Sequence, residues 1–164
     1  MQNLTKRNLA IRIAEETGLI TDFDLAVADE AIQWLGHFPR NTKRFRVAVN
    51  ISGHSVGSDQ YVSTLYARLR ENAWVRDKLL FEITESSRMA DLDAANAFIQ
   101  GLRQVGHPVC LDDFGAGAAS FQYLSALDVD VVKIDGSAVR NAQRGAKGRA
   151  FLTALSAFCR SLGV

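Results

Sequence analysis

The stretch "PVCLDDFGAG" (residues 108–117) joins an apolar run to two adjacent aspartates, Asp112 and Asp113, and then to a glycine-rich turn. Its first half has the composition of a buried strand. Its end poses a problem, because neighbouring carboxylates repel and neither is buried cheaply without a cation or several donors. The form recurs along the chain: "FRVAVNIS" (45–52), "KLLFEITE" (78–85) and "VDVVKID" (129–135) are apolar or β-branched runs that close on polar side chains.

Helical patterns separate these runs. Residues 5–16 read as a helix ended by Gly18. Thr21 with Asp24 resembles a capping box opening a second helix to about Phe38, with Phe23, Val27, Ala31, Trp34 and Leu35 on one face. A helix over 59–71 turns Val62, Leu65 and Leu69 inward, and the segment after Asp91 places Leu92, Ala95, Ile99, Leu102 and Val105 at helical spacing. "SFQYLSAL" is a short helix and "KGRAFLTALSAFCRSLG" (147–163) a final one. Strands alternating with helices imply parallel strands joined by right-handed crossovers, hence an α/β sheet.

The polar residues choose between a doubly wound sheet and a β/α barrel. Asn50, Glu82, Asp112 with Asp113, and Lys133 with Asp135 each stand at the carboxyl end of a different strand. In a parallel sheet those ends share one edge, which is where a barrel builds its site. A doubly wound nucleotide fold would instead concentrate its signal in one glycine-rich first turn, and no GxGxxG or GxxxxGK[ST] lies between a strand and a helix. The expected architecture is a partial TIM-like β/α barrel of about four parallel strands with flanking helices. A complete barrel takes about 250 residues, so the 164 residues cannot close one.

Composition sets outer limits. At 48% hydrophobic and 23% charged, with a formal net charge of +1, the chain reads as one globular domain with no electrostatic footprint for DNA. Cys110 and Cys159 lack a CxxC or a nearby histidine and read as buried reduced thiols, and the absence of an apolar span or a signal peptide points to the cytoplasm. His37, His54 and His107 show no ligand pattern and read as surface or satisfied polar groups, while Trp34, Trp74 and the phenylalanines read as core.

Gathered at one edge, Asn50, Glu82, Asp112 and Asp113 make an oxygen-only, anionic cluster suited to Mg²⁺ or Mn²⁺, with room in its charge for two ions. Two such ions suit phosphodiester hydrolysis, and Lys133 would add a cation near the water or the phosphate. Each residue also has a plainer reading. A strand-end aspartate commonly caps a helix, Lys133 with Asp135 makes a local ion pair, Asn50 caps the turn before Gly53, and Glu85 favours the start of a helix.

"AEETGLI" (14–20), "VAVNIS" (47–52), "FEITES" (81–86), "LDDFGAG" (111–117) and "VDVVKID" (129–135), in this order, resemble the EAL domain family of bacterial cyclic di-GMP phosphodiesterases. The resemblance implies a modified β/α barrel and metal-dependent hydrolysis of cyclic di-GMP to linear pGpG. It places Asn50, Glu82, Asp112 and Asp113 at metal-binding positions, with Asp112 between the two ions. It makes Lys133 the lysine that positions or activates water, Glu85 the glutamate that steadies the loop after the paired aspartates, and Asp135 a substrate contact. It also implies a homodimer formed through that loop.

The chain departs from the family pattern at several points. Ala116 and Ala118 stand where the family has a threonine and an aromatic, and Gly136 and Ala138 where it has an arginine and a phenylalanine. The family's first barrel strand, with its naming glutamate, and its last strands are expected to be missing. An incomplete EAL fold of this kind should expose "RVAVNIS" and "DVVKID" as uncovered edges, associate or unfold readily, and turn over cyclic di-GMP poorly. Two other readings stay open. One is a degenerate EAL domain that binds cyclic di-GMP or a protein without cleaving anything. The other is a metal-dependent enzyme that abstracts a proton next to a carboxylate with Lys133 as base.

Overall fold

The computed structural model describes residues 6–40, 45–84, 91–115 and 120–164. Helices α1 (Lys6–Glu16) and α2 (Ile20–Leu35) precede strand β1 (Val47–Ile51). Then follow α3 (Gly53–Val56), α4 (Asp59–Glu71), a 3₁₀ turn (Ala73–Val75), β2 (Leu79–Thr84), α5 (Leu92–Gln104) and β3 (Val109–Phe114). The chain continues through α6 (Ser120–Ala126), β4 (Val131–Ile134), α7 (Gly136–Arg144) and α8 (Ala146–Leu162).

The four strands form one sheet in the order β1-β2-β3-β4, and every neighbouring pair is parallel. A steady order built from right-handed crossovers sends the helices to one face, whereas a doubly wound sheet reverses its order midway. This is the α/β arrangement of part of a barrel, as the strand-end polar residues require. Among the described residues β1 and β4 are the edge strands.

Strand register sorts the two faces. Val49, Phe81 and Val109 are partners in one row, and Ile51, Ile83, Leu111 and Val132 in the next. Apart from the half-buried Val132, these side chains are buried against the helices with Leu35, Leu65, Leu69, Ile99, Leu102 and Leu155. Burial of apolar surface on this face is what holds the layers together, at roughly 25 cal/mol per Å². The alternate residues form the opposite face. There Asn50, Glu82, Cys110 and Val131 make one row, and Thr84 with Asp112 lies in the next. This face is more open, with Ala48 and Val131 exposed and Leu80 half-buried.

Gly101 on α5 makes room for the Tyr66 side chain of α4, since a Cβ there would run into its ring and hydroxyl. That hydroxyl donates to the Phe98 carbonyl at 2.7 Å, so the glycine admits a hydrogen bond between the helices.

Several expectations change. Helix α2 begins at Ile20 with no side-chain cap, so Thr21 and Asp24 form no capping box. Its buried side carries Ile20, Asp24, Ala28, Ala31, Ile32 and Leu35, while Phe23 and Trp34 are exposed. Phe45 and Phe151 are exposed too, so the aromatics are not uniformly core. Trp34 instead meets Phe38 and Phe45 at ring-centroid distances of 4.5 and 5.9 Å. Helix α7 was not anticipated: its sequence is largely polar, and it buries only Ala138 and Ala142. Among the described residues no helix is long and apolar enough to cross a membrane.

Candidate active site

A bulge in β3 explains the paired aspartates. Leu111 pairs with Val132 and Phe114 with Ile134, so both Asp112 and Asp113 oppose the single residue Lys133. Two residues against one is the mark of a β-bulge, which bends a strand and re-aims its side chains. Asp113 takes up the extra length with φ +57°, a left-handed conformation that aspartate tolerates better than most residues. Its N–H donates to Asp112 Oδ1 at 2.9 Å. Gly115, at φ +92°, then turns the chain away without a Cβ penalty.

Lys133 collects the nearby charge. Its ammonium lies 2.5 Å from Glu82 Oε1 and 3.4 Å from Asp112 Oδ2. Glu82 is 4% exposed. Its Oε1 is buried, and the Lys133 ammonium is the charge that compensates it. Partial burial on its own would push Lys133 down, but Glu82 and Asp112 outweigh it and hold the ammonium above the ordinary lysine value. Cys110 sits between Glu82 and Val131 in the register and is fully buried; burial first, and then the Glu82 charge, push its thiol up to about 11. It is a protonated spacer and carries no free charge.

The other expected site residues are placed as follows. Asn50 is the register partner of Glu82, on the same face. Asp113 stands exposed at the bulge. Asp135 is the N-cap of α7 and accepts from Ser137 N at 2.7 Å and from the Ser137 hydroxyl. The Ser137 hydroxyl and amide hold its carboxyl below the usual aspartate range. Glu85, Ala116 and Ala118 lie outside the described residues, as does the loop expected to mediate dimer contacts. Among the described residues no three His, Cys, Asp or Glu side chains gather closely enough to hold a metal ion. Glu82 and Asp112 are joined by Lys133.

Two residues escaped the sequence reading. Thr84 pairs with Asp112 in the register. Asp24 is a buried carboxylate that reaches the loop after β1. A charged residue at an inward helical position is the one sequence signal that marks Asp24. A cleft of about 470 Å³, lined by Arg46, Arg103, His107 and Asp130 among others, opens at the amino-terminal edge of the sheet, away from these residues.

The family model described as "EAL domain" matches residues 3–164. The chain belongs to the EAL domain family. It is 34% identical over 132 residues to the cyclic di-GMP phosphodiesterase PdeF of Escherichia coli K12, covering 79% of this chain and 17% of that protein. This EAL chain therefore spans about a sixth of that relative's length. The crystal structure of the FimX EAL domain from Pseudomonas aeruginosa bound to c-di-GMP shares its fold, with a TM-score of 0.80 at 24% identity, covering 93% of this chain and 61% of that one. The manganese and cyclic di-GMP complex of Klebsiella pneumoniae BlrP1 is similar at a TM-score of 0.73 and 26% identity, covering 88% of this chain and 36% of that one.

Proposed function

We propose that this chain is a cyclic di-GMP phosphodiesterase-type domain whose Asn50, Glu82, Asp112 and Asp113 hold Mg²⁺ or Mn²⁺. The observation that carries the reading is the convergence of Glu82 and Asp112 on Lys133 beside a bulge, on the sheet face that also bears Asn50. The donor chemistry suits a hard divalent ion, although the carboxylates would have to draw closer to share one: all donors are oxygens, two are carboxylates sharing one ammonium, and Glu82 Oε1 is buried with charge as its compensation. Such ions, when bound, neutralise phosphate charge and make water a nucleophile at neutral pH.

The chain's own residues do the rest. Glu82, rigid in the middle of the sheet, fixes the depth of the site. The bulge offers Asp112 and Asp113 from consecutive positions, a spacing that a regular strand cannot provide on one face. Lys133 is held protonated by its carboxylates, so it meets a phosphate as a cation. That state does not suit the proton-abstracting base of the alternative enzyme reading. Glu85 would steady the loop after the aspartates, and Asp135 would contact substrate from the start of α7.

A degenerate, binding-only EAL domain is the second reading. The observation favouring it is Asp135, whose carboxylate already serves as a helix cap. Incubation of the chain with cyclic di-GMP and Mn²⁺, followed by mass spectrometry, decides. The catalytic reading expects slow, Mn²⁺-dependent pGpG formation that is lost in Asp112→Asn. Binding of the dinucleotide without any cleavage establishes the second reading, and neither binding nor cleavage overturns both.

A further inference from the structure

Asp24 lies in the second turn of α2, 5% exposed, and uses one oxygen twice. Its Oδ2 accepts from the backbone N–H of Ser52 at 2.8 Å and from the Ser55 hydroxyl at 2.7 Å. Ser52 directly follows β1 and caps α3, its own hydroxyl accepting from His54 N at 3.2 Å. Ser55 is fully buried. A single carboxylate on one helix thus grips the turn that leaves β1, two residues beyond Asn50. Burial pushes the Asp24 carboxyl up, against the Ser55 and Ser52 hydrogen bonds that favour its charge, so a buried acid is kept here at a cost. Local stability alone explains this poorly, because a serine or asparagine within the turn could satisfy the same donors at less expense.

We propose that Asp24 is a positioning residue for the divalent-ion site: through Ser52 and Ser55 it fixes the end of β1, and so the Asn50 amide beside Glu82. The inference rests on the phosphodiesterase reading for its ligand, but not for its geometry. Carboxylates bonded directly to a metal ligand orient it without touching the ion, and their loss weakens metal binding by about 10–100-fold. Asp24 acts one step further out, through Ser52, so its effect lies at or below the low end of that range.

The test uses the whole chain with Mn²⁺ alone as the probe. Asp24→Asn and Asp24→Ala are expected to weaken Mn²⁺ binding several-fold, up to about 10-fold, in calorimetric titration, and Ser55→Ala to weaken it less. All three should speed amide exchange at Ser52. Leu155→Ala, a core change on α8, serves as the control for general destabilisation: it should lower the melting temperature and leave Mn²⁺ affinity alone. A folded Asp24→Asn variant with fast Ser52 exchange and wild-type Mn²⁺ affinity overturns the proposal. If the wild-type chain binds no Mn²⁺, the phosphodiesterase reading fails, and the NMR signals of the Asn50 side-chain amide decide instead. Their displacement in Asp24→Asn, but not in Leu155→Ala, supports the positioning role, and signals that do not move overturn it.

Discussion

Lys133 on β4 passes over β3 to reach Glu82 on β2, its ammonium 2.5 Å from a carboxylate oxygen that is buried in the middle of the sheet. The pair is asymmetric, since the lysine side chain is 46% exposed and the glutamate side chain 5%. Most of the cost of breaking it therefore falls on Glu82, whose charge would stay buried without compensation. Solvent around the lysine discounts the total to about 1–2 kcal/mol for Lys133→Met. In urea titrations that variant should be destabilised, and adding Glu82→Gln to it should recover much of the loss. Additive losses would show that the two groups do not act as a pair.

Asp113 carries two separable loads, a left-handed backbone and a proposed metal oxygen. Asparagine shares the tolerance for that backbone, so Asp113→Asn should keep its denaturation midpoint. A β-branched side chain at the same φ does not, and Asp113→Val should lose about 1–2 kcal/mol or more. Mn²⁺ binding should fall in both variants. Intact binding in Asp113→Asn would remove this residue from the ligand set while leaving the bulge intact.

The extent to which this site could be read from sequence follows the range of the interactions involved. The strands are plain because runs such as "VAVNI" and "LLFEIT" carry their own preference, and the polar Asn50 and Glu82 within them mark one face of the sheet. The bulge was hidden. Period-two alternation sends Asp112 and Asp113 to opposite faces, and only pairing with β4, some twenty residues on, shows that both oppose Lys133. Asp24 was misread for a similar reason. Three residues after Thr21 it has the spacing of a local cap, but the partners that claim it, Ser52 and Ser55, are 28 and 31 residues away. Helix α7 is hard to read because its buried side is only two alanines, so the strong apolar signal that marks an inward helical face is missing.

Asp135 allows the cap and the substrate contact to be told apart by one pair of substitutions. Serine caps helices nearly as well as aspartate, whereas alanine does not. Asp135→Ala should lower thermal stability by freeing the first turn of α7, and Asp135→Ser should restore it. If the carboxylate also meets substrate, cyclic di-GMP affinity measured by calorimetry will fall in both variants. Wild-type affinity in Asp135→Ser would leave the residue with the cap alone.

His107 should make the fold sensitive to mild acid. The ring is 1% exposed, packs edge-on to Phe81 at 5.7 Å, and has no hydrogen-bond partner for Nδ1. Burial holds it below the ordinary histidine value of 6.5, against the opposing pull of its hydrogen bond with the Leu79 backbone. Because the folded state binds the proton less readily than the unfolded one, stability rises with pH between the folded value and 6.5. The contribution is therefore complete above pH 6.5 and is lost as pH falls below it. Each unit of depression amounts to about 1.4 kcal/mol. Urea midpoints measured from pH 5 to pH 7.5 should climb in the wild type, and the climb should flatten in His107→Gln, which cannot titrate. An equal slope in that variant would assign the acid sensitivity to other groups.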